Sequence, residues 1–303
     1  MFRKLFIAIL LIICKTTFAQ INESFSNVDI KPFNTTVNIF NVGGMPVGWS
    51  EHPYHNNPVI VPFFGFNSNH GWITKEFKLN PSSPIDTVAS SLSFYDNEEP
   101  ANNWMFTKQF LVPAKINSTD KIYFTWYGLS ESQWDPEAYE LRISTTNNTD
   151  TNAFATKLFS TNAEPGEKWQ LHSVDLTTYQ GQQVYIAFVH KSVGYFLLID
   201  DIQTRVANGA DVNLLDISAK RYEKTNTDVT ISGTLMNEGN ENIKSITLEW
   251  NDGGTPNDMV LSGLNIPPFK PYSFEHKIPF TKNVADEYNI KVTAKILIQL
   301  RQM

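Results

Sequence analysis

Cysteine is almost missing: the 303-residue sequence has one, Cys14, and it lies in the N-terminal segment. Beyond that segment no thiol remains, which excludes disulfides, redox thiols, cysteine nucleophiles and thiolate zinc sites, so stability has to come from buried cores. Charge is also scarce, with Asp, Glu, Lys and Arg making up 18% of the chain against about a quarter in ordinary domains. Positive charge is the scarcer sign: 24 Lys and Arg face 31 Asp and Glu, a formal net charge of −7. That balance argues against binding nucleic acid by phosphate neutralisation. The apolar stretch at residues 5–14 is too short to cross a bilayer, which takes about 20 residues, and no transmembrane span is expected. There is no G-x-S-x-G, no H-E-x-x-H, no phosphate-cradling glycine loop and no EF-hand loop, and helical periodicity is sparse.

What is present is apolar and aromatic: hydrophobic residues make up 41% of the chain and aromatic residues 13%, the composition of a folded protein. Asn, Thr, Ser, Gly and Pro punctuate short segments rich in Val, Ile, Phe, Tyr and Trp, the pattern of an all-β chain, and the length suggests two domains. At the N-terminus Arg3 and Lys4 precede the apolar stretch, and Thr17-Phe18-Ala19 forms a small-residue site. This is a signal peptide over residues 1–19 with cleavage near Ala19, and it implies a secreted or outer-surface protein. Leu11-Ile12-Ile13-Cys14 also loosely resembles a lipobox, with bulky Ile13 where a small residue belongs.

Residues 184–202 read as the core of the first domain. Both alternating registers are apolar on each of two segments, Val184, Ile186 and Phe188 against Tyr185, Ala187 and Val189, then Phe196 and Leu198 against Leu197 and Ile199. Strands of this kind are covered on both faces. They are expected to form a hairpin that ends in Asp200 and Asp201, two acids placed at the rim because an ionised carboxylate inside a core needs a partner. Further strands are expected around residues 89–94, 102–106, 121–129, 139–145 and 169–175, a spacing that indicates a sandwich or jelly roll over residues 20–207. Residues 208–210 read as a linker. The strand pattern restarts over residues 211–298, where five to seven strands fit an immunoglobulin-like sandwich, and residues 299–303 form a tail.

Candidate chemistry is of two kinds. Asp200 and Asp201 provide hard oxygen ligands for calcium, and Glu23, Asp96, Asn102 and Asn103 come near them if the first strand and the Trp104 strand flank the hairpin. The same residues also read as turn formers bonded to local backbone. Trp49, Trp72, Trp126 and Trp134 are candidates to stack on sugar rings, with Trp134, in a polar stretch, the most exposed. His52 and His55 lack a third ligand at a metal-binding spacing, and a glycosidase pair is defined by separation in space, which the sequence does not give.

The succession Pro46-Val47-Gly48-Trp49, Asn102-Asn103-Trp104-Met105, Tyr139-Glu140-Leu141-Arg142-Ile143, Tyr179-Gln180-Gly181-Gln182, Val184-Tyr185-Ile186-Ala187-Phe188 and Leu198-Ile199-Asp200-Asp201-Ile202 resembles the cleaved adhesin, or choice-of-anchor J, domain of secreted Bacteroidetes proteins. The resemblance covers about residues 20–207 and implies a jelly roll related to the gingipain adhesin modules, with structural calcium. It favours a calcium site near Asp201, with Asp200 a further ligand or a cap on the strand, and Asn103 and Glu23 are the ligands expected from the first reading to join it. Ser26 stands where the family often has an acid, and no Asp/Gly-rich run follows Trp49. The second domain resembles the immunoglobulin-like, CARDB-like modules that follow such jelly rolls. Family members often end in a sorting domain; none is recognised before Met303, as expected of a released or truncated product. The function implied is non-catalytic adhesion, binding an extracellular glycan or protein through Trp134 and Trp49. A secreted hydrolase and a structural spacer are the competing readings.

Overall fold

The computed structural model describes residues 21–34, 39–53, 70–95, 99–220 and 222–296. The segment expected to be a signal peptide, with Cys14, together with His55, Asp96 and the expected tail, lies outside them. The described chain is all-β. Its first strands are β1 (Asn22–Glu23), β2 (Lys31–Asn34), β3 (Ile39–Gly43), β4 (Ser50–Pro53), β5 (Trp72–Phe77), β6 (Asp86–Leu92) and β7 (Asn103–Phe106). Then come β8 (Phe110–Leu111), β9 (Lys121–Ser130), β10 (Glu137–Ser144), β11 (Thr156–Glu164), β12 (Gln170–Asp175), β13 (Gln183–His190) and β14 (Phe196–Ala207). They form two antiparallel sheets of a jelly-roll sandwich, one ordered β12-β9-β14-β6-β5-β3-β2 with β1 beside β14, the other β11-β10-β13-β7-β4 with β8 beside β13.

One core lies between the sheets, built from Phe124, Trp126, Leu197, Ile199 and Ile202 on one side and Met105, Tyr139, Leu141, Ile186 and Phe188 on the other. Trp126 packs edge-on against Phe188 at 5.9 Å and donates its indole N–H to the Tyr139 hydroxyl at 2.9 Å. The outer faces are covered too. Phe196 and Leu198 join Ile73, Val88 and Leu129 on one face, while Ala187 and Val189 join Trp104, Phe106 and Phe154 on the other. This accounts for the two apolar registers. Burying each of these large side chains contributes about 1.5–3 kcal/mol.

The expected hairpin does not form: β13 pairs with β10, β7 and β8, and β14 with β9, β6 and β1, in the opposite sheet. The connection after His190 crosses the sandwich because each strand needs hydrogen-bonding neighbours on two edges and apolar cover on two faces, more than a two-stranded ribbon supplies.

Beyond Ala207 the described residues build a second sandwich from β15 (Val212–Ser218), β16 (Ser232–Asn237), β17 (Ile243–Asn251), β18 (Asn257–Ile266), β19 (Pro271–Glu275) and β20 (Lys291–Ile296). Two three-stranded sheets, β15-β16-β19 and β18-β17-β20, enclose Leu235, Ile243, Ile246, Leu248 and Phe274. Its contact with the first sandwich is local. Phe269, with φ of 55°, inserts against Tyr123 with ring centroids 4.8 Å apart and packs by Ala207 and Leu171. Arg205 Nη1 lies 3.2 Å from Glu238 Oε1, and Asn240 Nδ2 donates to Thr119 O at 2.7 Å.

Candidate functional site

Three polar regions of the first sandwich have the ingredients of a site. The first holds the paired acids. Asp200 and Asp201 lie inside β14, not at its end, where the register to β9 shifts between Asp200 and Gln203. Asp201 adopts φ of 47° and faces solvent, whereas Asp200 is 4% exposed. Asp86, at the start of β6, hydrogen-bonds the Asp200 carboxyl. Burial above all, reinforced by the charges of Asp201 and Asp86, pushes Asp200 up to about 8, although its Oδ1 accepts the Asp201 N–H at 2.7 Å. Asp201 is raised by the same two influences, burial and then Asp86, with Arg205 opposing. At neutral pH the buried carboxyl keeps a proton and shares it with Asp86, which is how this element tolerates an acid away from water.

The other expected calcium ligands are not gathered there. Glu23 pairs in register with Ile202, but its Oε1 accepts the Phe25 N–H at 2.9 Å. Asn103 lies in the other sheet because β7 pairs with β13 and not with β14. Among the described residues no three His, Cys, Asp or Glu side chains are grouped so as to hold a metal ion. As a set, Asp201, Asp200, Asn103 and Glu23 do not fit calcium.

The second region is the buried network that Asn103 has joined. Its Nδ2 donates to Ser91 Oγ, Leu92 O and the Tyr95 hydroxyl at 2.9–3.0 Å. Ser91 Oγ lies 2.9 Å from His190 Nδ1, and His190 Nε2 lies 2.8 Å from Glu137 Oε2. Ser93 Oγ and the Tyr195 N–H also donate to Glu137. Burial alone would raise Glu137, but the His190 hydrogen bond and charge and these two donors outweigh it and hold the carboxyl below its ordinary value. Gly194 is required beside it, since a Cβ there would stand 2.7 Å from Glu137 Oε1.

A serine, a histidine and a glutamate in this order resemble a nucleophilic triad, but the hydrogens run the wrong way. Ser91 Oγ donates to Gly71 O at 2.8 Å, so His190 Nδ1 has to donate to Ser91 and has no lone pair with which to take its proton. Ser91, His190 and Glu137 are also all fully buried. The network is a satisfied polar core.

The third region is the surface above that network. Ser132 Oγ donates to Asp135 Oδ2 at 2.9 Å and accepts the N–H groups of Trp134 and Asp135, each at 3.2 Å. The turn so formed presents Trp134 at 82% exposure. Its base is fixed: the Glu131 N–H donates to Phe196 O at 2.9 Å, and the Glu131 carboxylate pairs with Lys75, whose Nζ stands 4.4 Å over the Phe196 ring. Exposed Phe94 and Val193 lie in the two loops that flank Glu137. Trp49, by contrast, is in the core, edge-on to Phe25 at 5.6 Å, and Trp72 and Trp126 are buried with it. These three are unavailable for stacking because their flanking residues pack them between the sheets.

Sequence reasoning anticipated the exposure of Trp134, put the acid pair at a strand end where the structure has it inside β14, and missed Asp86, Glu137 and His190. His190 had one visible signal, an ionisable residue closing an otherwise apolar strand. Among the described residues no helix is long and apolar enough to cross a membrane.

No family model matches the chain, and no curated protein matches it. Among solved structures it is similar to the K1 cleaved adhesin domain of Lys-gingipain from Porphyromonas gingivalis W83, at 19% identity and a TM-score of 0.42, over 63% of this chain and 100% of that one. It is similar to the K3 cleaved adhesin domain of Lys-gingipain from the same organism, at 18% identity and 0.38, over 61% and 99%. It is also similar to TmCBM61, solved in complex with beta-1,4-galactotriose, at 12% identity and 0.34, over 54% and 90%. At these identities and scores the likenesses transfer no function.

Proposed function

We propose that this protein is a secreted or surface-exposed, non-catalytic binding protein whose jelly roll recognises an extracellular glycan with the face of Trp134. The observation that carries the reading is an indole 82% exposed on a turn braced by its own hydrogen bonds. An exposed tryptophan costs hydration and invites association, and the backbone of the turn that carries it is pre-organised, so little main-chain entropy is lost on binding. The flat apolar ring suits the CH face of a pyranose, while Gln133 and Asp135, its neighbours in sequence, offer amide and carboxylate groups to the hydroxyls. The triad-like residues support the non-catalytic part, since all three are sealed from substrate. The sequence resemblance to adhesin domains supports the extracellular setting.

The test is a glycan array probed with residues 20–303 and with Trp134→Ala. The reading expects binding to a defined subset of glycans, weakened by about 2 kcal/mol, roughly thirtyfold in Kd, in the variant. Binding that is equal in the two proteins overturns it.

A further inference from the structure

A cleft of about 390 Å³ opens at the edge of the first sandwich, between β1 and the turn that precedes β4. That volume is at the small end of the range for ligand pockets, about 300–1,000 Å³. One carboxylate, Glu23, and one ammonium, Lys108, line it together with the amides of Asn22 and Asn27, and Pro46 and Val47 form its apolar lip. Val47 is 96% exposed. Glu23 and Lys108 face the same space without pairing: none of the ion pairs among the described residues joins them. Only Glu23 Oε1 is engaged, by the Phe25 N–H.

One further observation marks the cleft as built. Its frame is held in unusual backbone conformations. Phe25 is fully buried at φ of 55°, and Gly48, at φ of 83°, brings the turn so close to Lys108 that a Cβ on Gly48 would stand 3.1 Å from the lysine Cβ. A non-glycine residue held in the left-handed region is strained and persists only where its surroundings enforce it.

We propose that this cleft binds a small zwitterion, a free amino acid or short peptide bearing both a free ammonium and a free carboxylate. The ligand carboxylate pairs with Lys108, its ammonium with the unengaged Glu23 oxygen, its amides with Asn22 and Asn27, and its apolar side chain rests on Pro46 and Val47. Two opposite charges that face one space without meeting each other are complementary to a ligand that carries both. The protein's net charge of −7 disfavours a polyanion at the same place. This site is independent of the Trp134 surface.

Isothermal titration of residues 20–303 with dialanine tests it, with N-acetylalanine N-methylamide as the uncharged counterpart. Saturable binding of dialanine is expected, weakening with added salt, with no binding of the blocked compound. Lys108→Ala and Glu23→Gln should each weaken dialanine about tenfold, and Trp134→Ala should leave it unchanged. Glutamine keeps the acceptor for the Phe25 N–H and lysine 108 is exposed, so unchanged melting temperatures are the control for folding in both variants. Equal binding of the blocked compound, a Kd insensitive to both substitutions in folded protein, or no heat at millimolar dialanine overturns the proposal.

Discussion

Asp200 and Glu137 are both carboxyls taken out of water, and their neighbours resolve that cost in opposite directions. Asp200 is pushed up to about 8 by its burial, and two neighbouring acids add to the shift; Glu137, whose burial would also raise it, meets His190 and is held down. The consequences for pH dependence are opposite too. Between about pH 4 and pH 8 the folded chain keeps a proton on Asp200 that the unfolded chain has lost, so this residue makes stability fall as pH rises through that window. Asp200→Asn preserves the contacts and removes the titration. Its melting temperature should match the wild type near pH 4 and exceed it at pH 9, a gain on the order of a few kcal/mol; identical curves would show that the shared proton is absent. For Glu137 the stabilising contribution is present above the ordinary carboxylate range and is lost as pH falls through its depressed value. His190→Ala strands that carboxylate in the core and should cost about 3–5 kcal/mol, read as a lower urea midpoint.

Single strands were largely legible in the sequence because their apolar alternation is local. β9, β10, β12, β13 and β14 all lie where alternating or doubly apolar segments were expected. β11 was not anticipated, since the edge strand TKLFSTNAE has few buried positions and so little periodicity to detect. Pairing was the illegible part. A doubly apolar strand announces that it is covered on both faces but not which sheet it joins, so β13 and β14 looked like a hairpin and stand in opposite sheets. That one difference separates Asn103 from Asp201 and brings in Asp86, distant in sequence, as the third acid. At the level of the element, Gly194 is a position of the crossover after β13 that does not accept a side chain without a shift. Gly194→Ala places a methyl against Glu137 Oε1, and overpacking of this kind costs about 1–3 kcal/mol. The melting temperature should drop while Glu137→Gln, which leaves the glycine intact, retains the crossover; an unchanged melting temperature in Gly194→Ala would mean the loop moves freely.

Across the whole molecule, two β-sandwiches meet through one aromatic plug, Phe269 against Tyr123, and a few polar contacts. Removing the plug, Phe269→Ala, should lower the melting temperature of the second sandwich and split the calorimetric transition in two, with a loss of about 3–5 kcal/mol if the site does not collapse; a single unshifted transition would show that Phe269 does not couple the two sandwiches. The junction lies at the linker side of the first sandwich, built on β9 from Tyr123, whereas Trp134 follows the other end of the same strand, so the junction is not at the surface proposed for glycan recognition. That surface is the centre of the account, and tryptophan fluorescence reads it most directly. With a glycan selected on the array, acrylamide quenching of the wild type should lose one highly accessible indole on saturation, and Trp134→Phe should show neither that accessible indole nor any protection. Undiminished quenching at saturating glycan, or the same protection in Trp134→Phe, would contradict recognition by Trp134.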